Sequence, residues 1–379
     1  MTPPTTPPNI PLSAPDITEP EIEAVAATLR SPQLSLGPRL TEFEATFTAL
    51  TGVPHAIAVS SGTAGLHLAL LALNIGADAE VIVPSFTFIA AANAIRYVGA
   101  TPVFVDIDPL TLNLSPSAVE AAITPRTRAI VAVHTFGIPA DMPALTTIAK
   151  RHNLALIEDA CEAIGATIHQ RPVGSFADIA VFAFYPNKQI TTGEGGMIVT
   201  ARPELAARLR SLRNQGRTPS GDWLQHTELG YNYRLSDIAC TLGIGQMHRL
   251  PEILSRREQI ARLYHHHLSS EPALTLPLID IPNTHISWFV YVVRLTEAFT
   301  PAHRDQIIHD LERANIGCGR YFAPIHLQRA YTEFTPRTPL PITESVASRT
   351  IALPFFNRIN ESQIATVCET LKQAIGRIP

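Results

Sequence analysis

From His55 to Thr200, short apolar runs alternate with stretches whose apolar positions recur at helical spacing. HAIAVS, EVIVPS, TPVFVDI, AIVAVH and LALIED are rich in Val, Ile and Ala and almost continuous in apolarity. TAGLHLALLAL, FIAAANAIRYV, SAVEAAI and MPALTTIAKRH separate them. Strands buried on both faces read this way, and helical crossovers between them make the sheet parallel. DIAVFAF and GGMIVT follow with no long helix between them, so the predicted seven-stranded sheet is mixed. Near Leu250 the rhythm changes. A long helical stretch (EILSRREQIARLYHHHLSS) leads to a strand (SWFVYVVRL) and two helices (HRDQIIHDLERANI and ESQIATVCETLKQAI). The pattern predicts an α/β fold: a large domain over residues 16–250, its mostly parallel sheet flanked by helices, and a smaller C-terminal α+β domain over 251–379. Six prolines among the first fifteen residues predict a flexible, extended arm over 1–15.

Composition narrows the function. The 379 residues are 46% hydrophobic and 16% charged, with a formal charge of −4. A disordered chain lacks that apolar fraction, and a nucleic-acid binder relying on a basic surface needs clustered cations. The most apolar region, Leu66 to Ile95, is broken by His67, Asn74, Asp78, Glu80, Pro84 and Ser85, so no membrane span is expected. The N-terminus has no basic residue ahead of an apolar run, unlike a secretory signal. Four cysteines without a CxxC pair fit a reducing cytoplasm. His265, His266 and His267 fan around a helix and share no face, so no metal site is expected there.

Only three of the 29 basic residues are Lys: Lys150, Lys188 and Lys372. A chain that uses Arg for ordinary surface charge has reason to keep Lys where an amine must lose its proton and attack a carbonyl. Lys150 and Lys372 occupy polar positions of amphipathic stretches. Lys188 instead lies between a predicted strand and the glycines of TTGEGG. Three other segments fall where α/β sheets bind ligands, beyond the strand ends. SSGTAGL opens a helix with glycines and hydroxyls, a setting that suits a phosphate, although alone it reads as an ordinary N-cap. PSFTFIA places Thr87 and Phe88 after a strand, and LALIEDACEA ends one on Glu158 and Asp159. A phosphate cradle, a stacking aromatic, a strand-end carboxylate and a semi-buried lysine are together the parts that hold pyridoxal 5′-phosphate.

SSGTAGLHLAL, PSFTFIAAANAI, IEDACEAIGA, FYPNKQITTGEGGMI and LGYNYRLSDI, in this order, resemble the DegT-type nucleotide-sugar aminotransferases, a group of fold-type I pyridoxal-phosphate enzymes. The resemblance covers nearly the whole chain. It implies that Lys188 binds the cofactor covalently and shuttles protons, that Asp159 pairs with the ring nitrogen, and that Phe88 stacks on the ring. Gly62, Thr63 and Ala64 would hold the phosphate, and Glu162 would lie beside the ring hydroxyl. Asn232 would reach the cofactor of a second subunit in a homodimer, with Arg234 lining the same site. His326 would lie near the substrate. Many members carry Ser where this chain has Ala183, so one phosphate hydrogen bond is expected to be missing or replaced. The implied reaction moves the amino group of L-glutamate to an NDP-linked keto-sugar, most simply a 4-keto-6-deoxy hexose. Amination at C3, a cyclitol ketone, a sugar dehydratase and a non-catalytic regulator are the alternatives; the dehydratases carry His at the position of Lys188.

Overall fold

In the computed structural model, which describes residues 9–217 and 225–378, the apolar runs form one sheet of seven strands. Two helices precede it, α1 (Glu19–Leu29) and α2 (Pro38–Thr51). Strand and helix then alternate: β1 (His55–Val59), α3 (Gly62–Ala72), β2 (Glu80–Pro84), α4 (Ala90–Tyr97), β3 (Thr101–Val105) and α5 (Pro116–Ala122). The series continues with β4 (Thr127–Val133), α6 (Met142–Arg151) and β5 (Ala155–Asp159). A short hairpin, β6 (Thr167–Ile168) and β7 (Arg171–Pro172), leads to β8 (Ile179–Ala183) and β9 (Gly196–Thr200).

The strand order is β1-β9-β8-β5-β4-β2-β3. Only β9 runs against its neighbours, because a loop over 184–195 rather than a helical crossover joins it to β8. The other pairings are parallel, and their helices cover both faces. Leu66, Leu70, Ile95 and Leu209 pack on one face. Phe43, Phe47 and Ile244 pack on the other under the β1 half, with Leu145 and Ile148 under the β3 half. That double burial is the physical reason for the continuous apolar runs.

After α7 (Pro203–Arg213), α8 (Asp237–His248) and α9 (Leu250–Leu268), the chain builds a second, three-stranded sheet. It contains β10 (Leu274–Thr275), β12 (Tyr291–Leu295) and β13 (Thr350–Leu353), while β11 (Thr284–His285) pairs with β6. The helices α10 (Pro301–Arg313) and α12 (Glu361–Gly376) close over the three strands, and α11 (Pro341–Ala347) precedes β13. Tyr264, Leu311, Val367 and Leu371 form the core between them.

One expectation is corrected below, and part of the proline-rich arm packs on the second domain. Ile10 is buried, its amide donates to the Asn315 carbonyl at 3.0 Å, and its own carbonyl accepts from Gly317 at 2.8 Å. Residues 1–8 lie outside the described residues. The apolar stretch SWFVYVVRL is a strand only from Tyr291 onward. Before it, Ser287 and Phe289 donate their amides to Gly137 and Phe136 at 3.1 and 3.4 Å. The buried Arg257 guanidinium holds the carbonyls of Trp288 and Phe289, each at 2.6 Å. This segment is thereby pinned to the rim of the large sheet. No helix among the described residues is long and apolar enough to cross a membrane.

Candidate active site

Beyond the carboxyl ends of β1, β5 and β8 lies a cavity of about 750 Å³. Ser61, Gly62, Thr63, Phe88, Asp159, Glu162, Ala183 and Lys188 all line it. The turn from β1 into α3 forms one end. Ser61 is the N-cap, its Oγ accepting the Ala64 amide at 3.0 Å. The amides of Gly62 and Thr63 fall in the first turn, where no intrahelical carbonyl can accept them. They remain available to an anion at the positive end of the helix. The Ala64 amide is spent on the cap. Gly62 is a necessity of packing. A Cβ there would lie 2.7 Å from the Ala183 Cβ and 2.9 Å from the Cys161 Sγ.

Asp159 terminates β5, between Val133 of β4 and Val181 of β8. It is 7% exposed, and Oδ1 accepts the Cys161 amide at 3.2 Å. The adjacent Glu158 has a different task. Fully buried, it accepts the amides of Gly174, Phe176 and Ala177 at 2.8, 2.8 and 3.0 Å, and pairs with His134 at 3.2 Å. Alternation along the strand thus sends one carboxylate to the cavity and the other to a structural loop. Burial, reinforced by the Asp159 charge, pushes the Cys161 thiol well up, which keeps it a neutral wall residue.

Lys188 follows β8 on the turn before β9. Its side chain is 14% exposed, and Nζ lies 3.2 Å from Glu162 Oε1 and 3.9 Å from the centre of the Phe289 ring. The Phe136 amide fixes the other Glu162 oxygen at 2.9 Å. Burial raises the Glu162 carboxyl above its ordinary range, against the opposing pull of Lys188 and of that amide. Asn187 Oδ1 is buried and has no partner among the described residues.

The structure gathers Gly62, Thr63, Phe88, Asp159, Glu162 and Lys188 around this single cavity. Asn232 and Arg234 are not in its wall. They sit beyond the edge strand β1, where Arg234 bridges to Val59 and donates to Asn214 Oδ1 at 2.9 Å. His326 is also outside the cavity wall. Its Nδ1 lies 2.6 Å from Ser85 Oγ and its Nε2 3.3 Å from Glu344, so the ring is held between two other side chains. Sequence reasoning missed Phe289, Arg320, Tyr321 and Phe322, which form the opposite wall. Tyr321 stacks over Phe289 and Phe322 over Phe136. The Tyr-Phe pair ahead of APIH was the available signal.

These groups fit pyridoxal phosphate. The Gly62 and Thr63 amides would suit its phosphate, the strand-end carboxylate of Asp159 would suit its ring nitrogen, and the sheltered Lys188 amine follows Asn187, whose buried Oδ1 is unsatisfied. Ala183 brings no hydroxyl, and its methyl instead seats the glycine that lets the helix start come close.

Residues 15–372 match the DegT/DnrJ/EryC1/StrS aminotransferase family. The chain is 41% identical over 370 residues to the GDP-perosamine synthase of Caulobacter vibrioides, covering 97% of this chain and 99% of that one. Among solved structures, S. venezuelae DesV superposes with a TM-score of 0.91 at 37% identity, over 98% of this chain and 100% of its own. The pyridoxal-phosphate form of a protein from Streptococcus pneumoniae, named for sugar aminotransferase activity, gives 0.93 at 30% identity, over 98% and 100%.

Proposed function

Because the chain belongs to the DegT/DnrJ/EryC1/StrS aminotransferase family, we propose that it moves the amino group of L-glutamate to the keto-sugar of a nucleoside-diphosphate-linked hexose, at C4 of a 4-keto-6-deoxy sugar. The chain is a sugar aminotransferase, and its cofactor is pyridoxal phosphate. The reading is carried by one observation: the Lys188 amine is sheltered in the same cavity as the strand-end carboxylate of Asp159. The similarity to a GDP-perosamine synthase supports the substrate class.

When bound, the cofactor supplies an electron sink for the carbanion left as the substrate loses its proton. The rest falls to the chain. The Gly62 and Thr63 amides anchor the phosphate, and Asp159 keeps the ring nitrogen protonated. Phe88 covers one face of the ring. Lys188 carries a proton between the substrate carbon and the cofactor, and Glu162 receives its amine between steps. A buried Glu162, slow to ionise, also offers a proton to an oxygen at the ring edge. The division at residues 250 and 251 belongs to the same reading, the smaller part supplying the aromatic wall.

A homodimer completes the proposal. Phe88 and Tyr185 line the cavity mouth yet are 61% and 52% exposed, and Leu36 and Leu229 are also exposed. A second copy covering them would bring its Asn232 and Arg234 toward this cavity, which explains why both lie outside their own. The cytoplasm, where nucleotide sugars are made and thiols stay reduced, is the proposed location. A C3 or cyclitol ketone is the second reading, since the residues described here contact the cofactor more than the sugar. The presence of Lys188 argues against a dehydratase and against a silent binding protein.

The test uses the purified holoenzyme. L-glutamate should bleach its visible band, and nucleotide-linked 4-keto sugars should restore it with aminated product identified by mass and NMR. Lys188→Ala should abolish turnover. Full activity in that variant, or a visible band indifferent to glutamate, refutes the proposal.

A further inference from the structure

The ionisable side chains lining the cavity are unbalanced. Asp159, Glu162 and Glu194 are carboxylates, and among the described residues the lining cations are Lys188 and Arg320 alone. Lys188 is paired with Glu162. Both proposed substrates are nevertheless anionic, one through carboxylates and the other through a diphosphate. Each needs a cation to receive it.

Arg320 is built to meet this need. Its backbone is anchored by the Gly319–Ala352 pair, whose two hydrogen bonds of 3.1 and 2.8 Å tie the segment to β13. The next two residues, Tyr321 and Phe322, are part of the stacked aromatic wall. Nε donates to Asp305 Oδ1 on α10 at 2.9 Å, and Asp305 is itself held by Arg304 at 2.5 Å. Nη1 and Nη2 have no hydrogen bond among the described residues. One edge of the guanidinium is therefore tethered, while the donors of the outer nitrogens are left at the cavity wall. A planar fork fixed at one edge is suited to two parallel hydrogen bonds to an oxyanion.

We propose that Arg320, positioned by Asp305, binds the oxyanion of an incoming substrate, either a carboxylate of the amino donor or the diphosphate of the nucleotide sugar. The inference rests on the aminotransferase reading above. Its side chain is 55% exposed, so solvent weakens the interaction and the expected effect lies at the low end of the charge-assisted range.

The experiment titrates holoenzyme with glutarate and with GDP, and compares wild type with Arg320→Gln, Arg320→Lys and Asp305→Asn. In Arg320→Gln the Kd of one probe should rise about tenfold and that of the other less than about twofold. A selective loss for glutarate assigns the donor carboxylate, and a selective loss for GDP assigns the diphosphate. The KM of the matching substrate should rise with its kcat little changed. Arg320→Lys should recover part of the loss, because a point charge attracts without the fork; it also serves if the Gln variant fails to retain cofactor. Asp305→Asn should weaken the same probe to a smaller degree. Unchanged Kd values in Arg320→Gln, or equal weakening of both probes, overturn the proposal. A wild-type protein whose visible band ignores glutamate would refute the aminotransferase reading, whereas the probe titrations report on Arg320 independently of it.

Discussion

Adding one methyl group at Gly62 tests the cavity's most demanding contact. In Gly62→Ala the new Cβ would sit 2.7 Å from the Ala183 Cβ and 2.9 Å from the Cys161 Sγ. Carbon atoms in contact prefer roughly 3.5–4.0 Å, so the start of α3 must retreat by about 1 Å. Neither neighbour is the far end of a flexible side chain. Ala183 ends the central strand β8, and Cys161 is held next to Asp159. Overpacking of this kind costs about 1–3 kcal/mol of stability. The same retreat carries the Gly62 and Thr63 amides away from the phosphate. Weakening one charge-assisted hydrogen bond by about 1.4 kcal/mol raises the cofactor dissociation constant tenfold. The assay is a double-mutant cycle read by urea melts of the cofactor-free protein and by equilibrium dialysis of pyridoxal phosphate. Ala183→Gly removes the closer obstacle, so Gly62→Ala in that background should recover about half of the lost stability, the remainder being the clash with Cys161. Strictly additive effects, or a Gly62→Ala protein that binds cofactor like wild type, would refute the packing argument.

Two further predictions concern carboxylates. A carboxyl whose folded-state pKa is raised favours folding below its unfolded-chain value, and this contribution is lost as pH rises through the folded value. Burial raises Glu162 in this sense, so the stability of wild type relative to Glu162→Gln should decline from about pH 4 upward, as read by urea melts of cofactor-free protein. A difference that grows with pH contradicts the burial argument. Asp106, just beyond β3, accepts the amides of Ile342 and Thr343 at 3.1 and 2.8 Å and the Thr343 hydroxyl at 2.8 Å. It caps α11 from a distant segment, since Leu340 provides no side-chain cap of its own. Asp106→Ala should cost about 2–3 kcal/mol and speed amide exchange at residues 342 and 343. Unchanged exchange there would show that the cap is not needed.

The seven strands were legible because burial on both faces leaves a local mark, a run of apolar residues flanked by helical spacing. The same holds for Lys188, Asp159 and the start of α3, since strand ends and helix starts are where an α/β sheet leaves backbone groups unspent. Glu158 and Asp159 are adjacent and chemically alike, so only strand alternation within the folded sheet separated their roles. The Ala64 amide donates to Ser61, the N-cap that the residue type of this segment already offered.

The opposite wall carried no comparable mark. Phe289, Arg320, Tyr321 and Phe322 reach the cavity because the second sheet docks its loops against the rim of the first, and their neighbours in sequence say nothing of Asp159 or Lys188. The setting of His326 was hidden for the same reason: Ser85, the side chain that holds it, is 241 residues away. Local order along the chain thus decided which elements form and which chemistry they present at their ends. Long-range packing decided which of those groups face one another, because contacts between distant segments depend on shape and burial that no short window of residues contains.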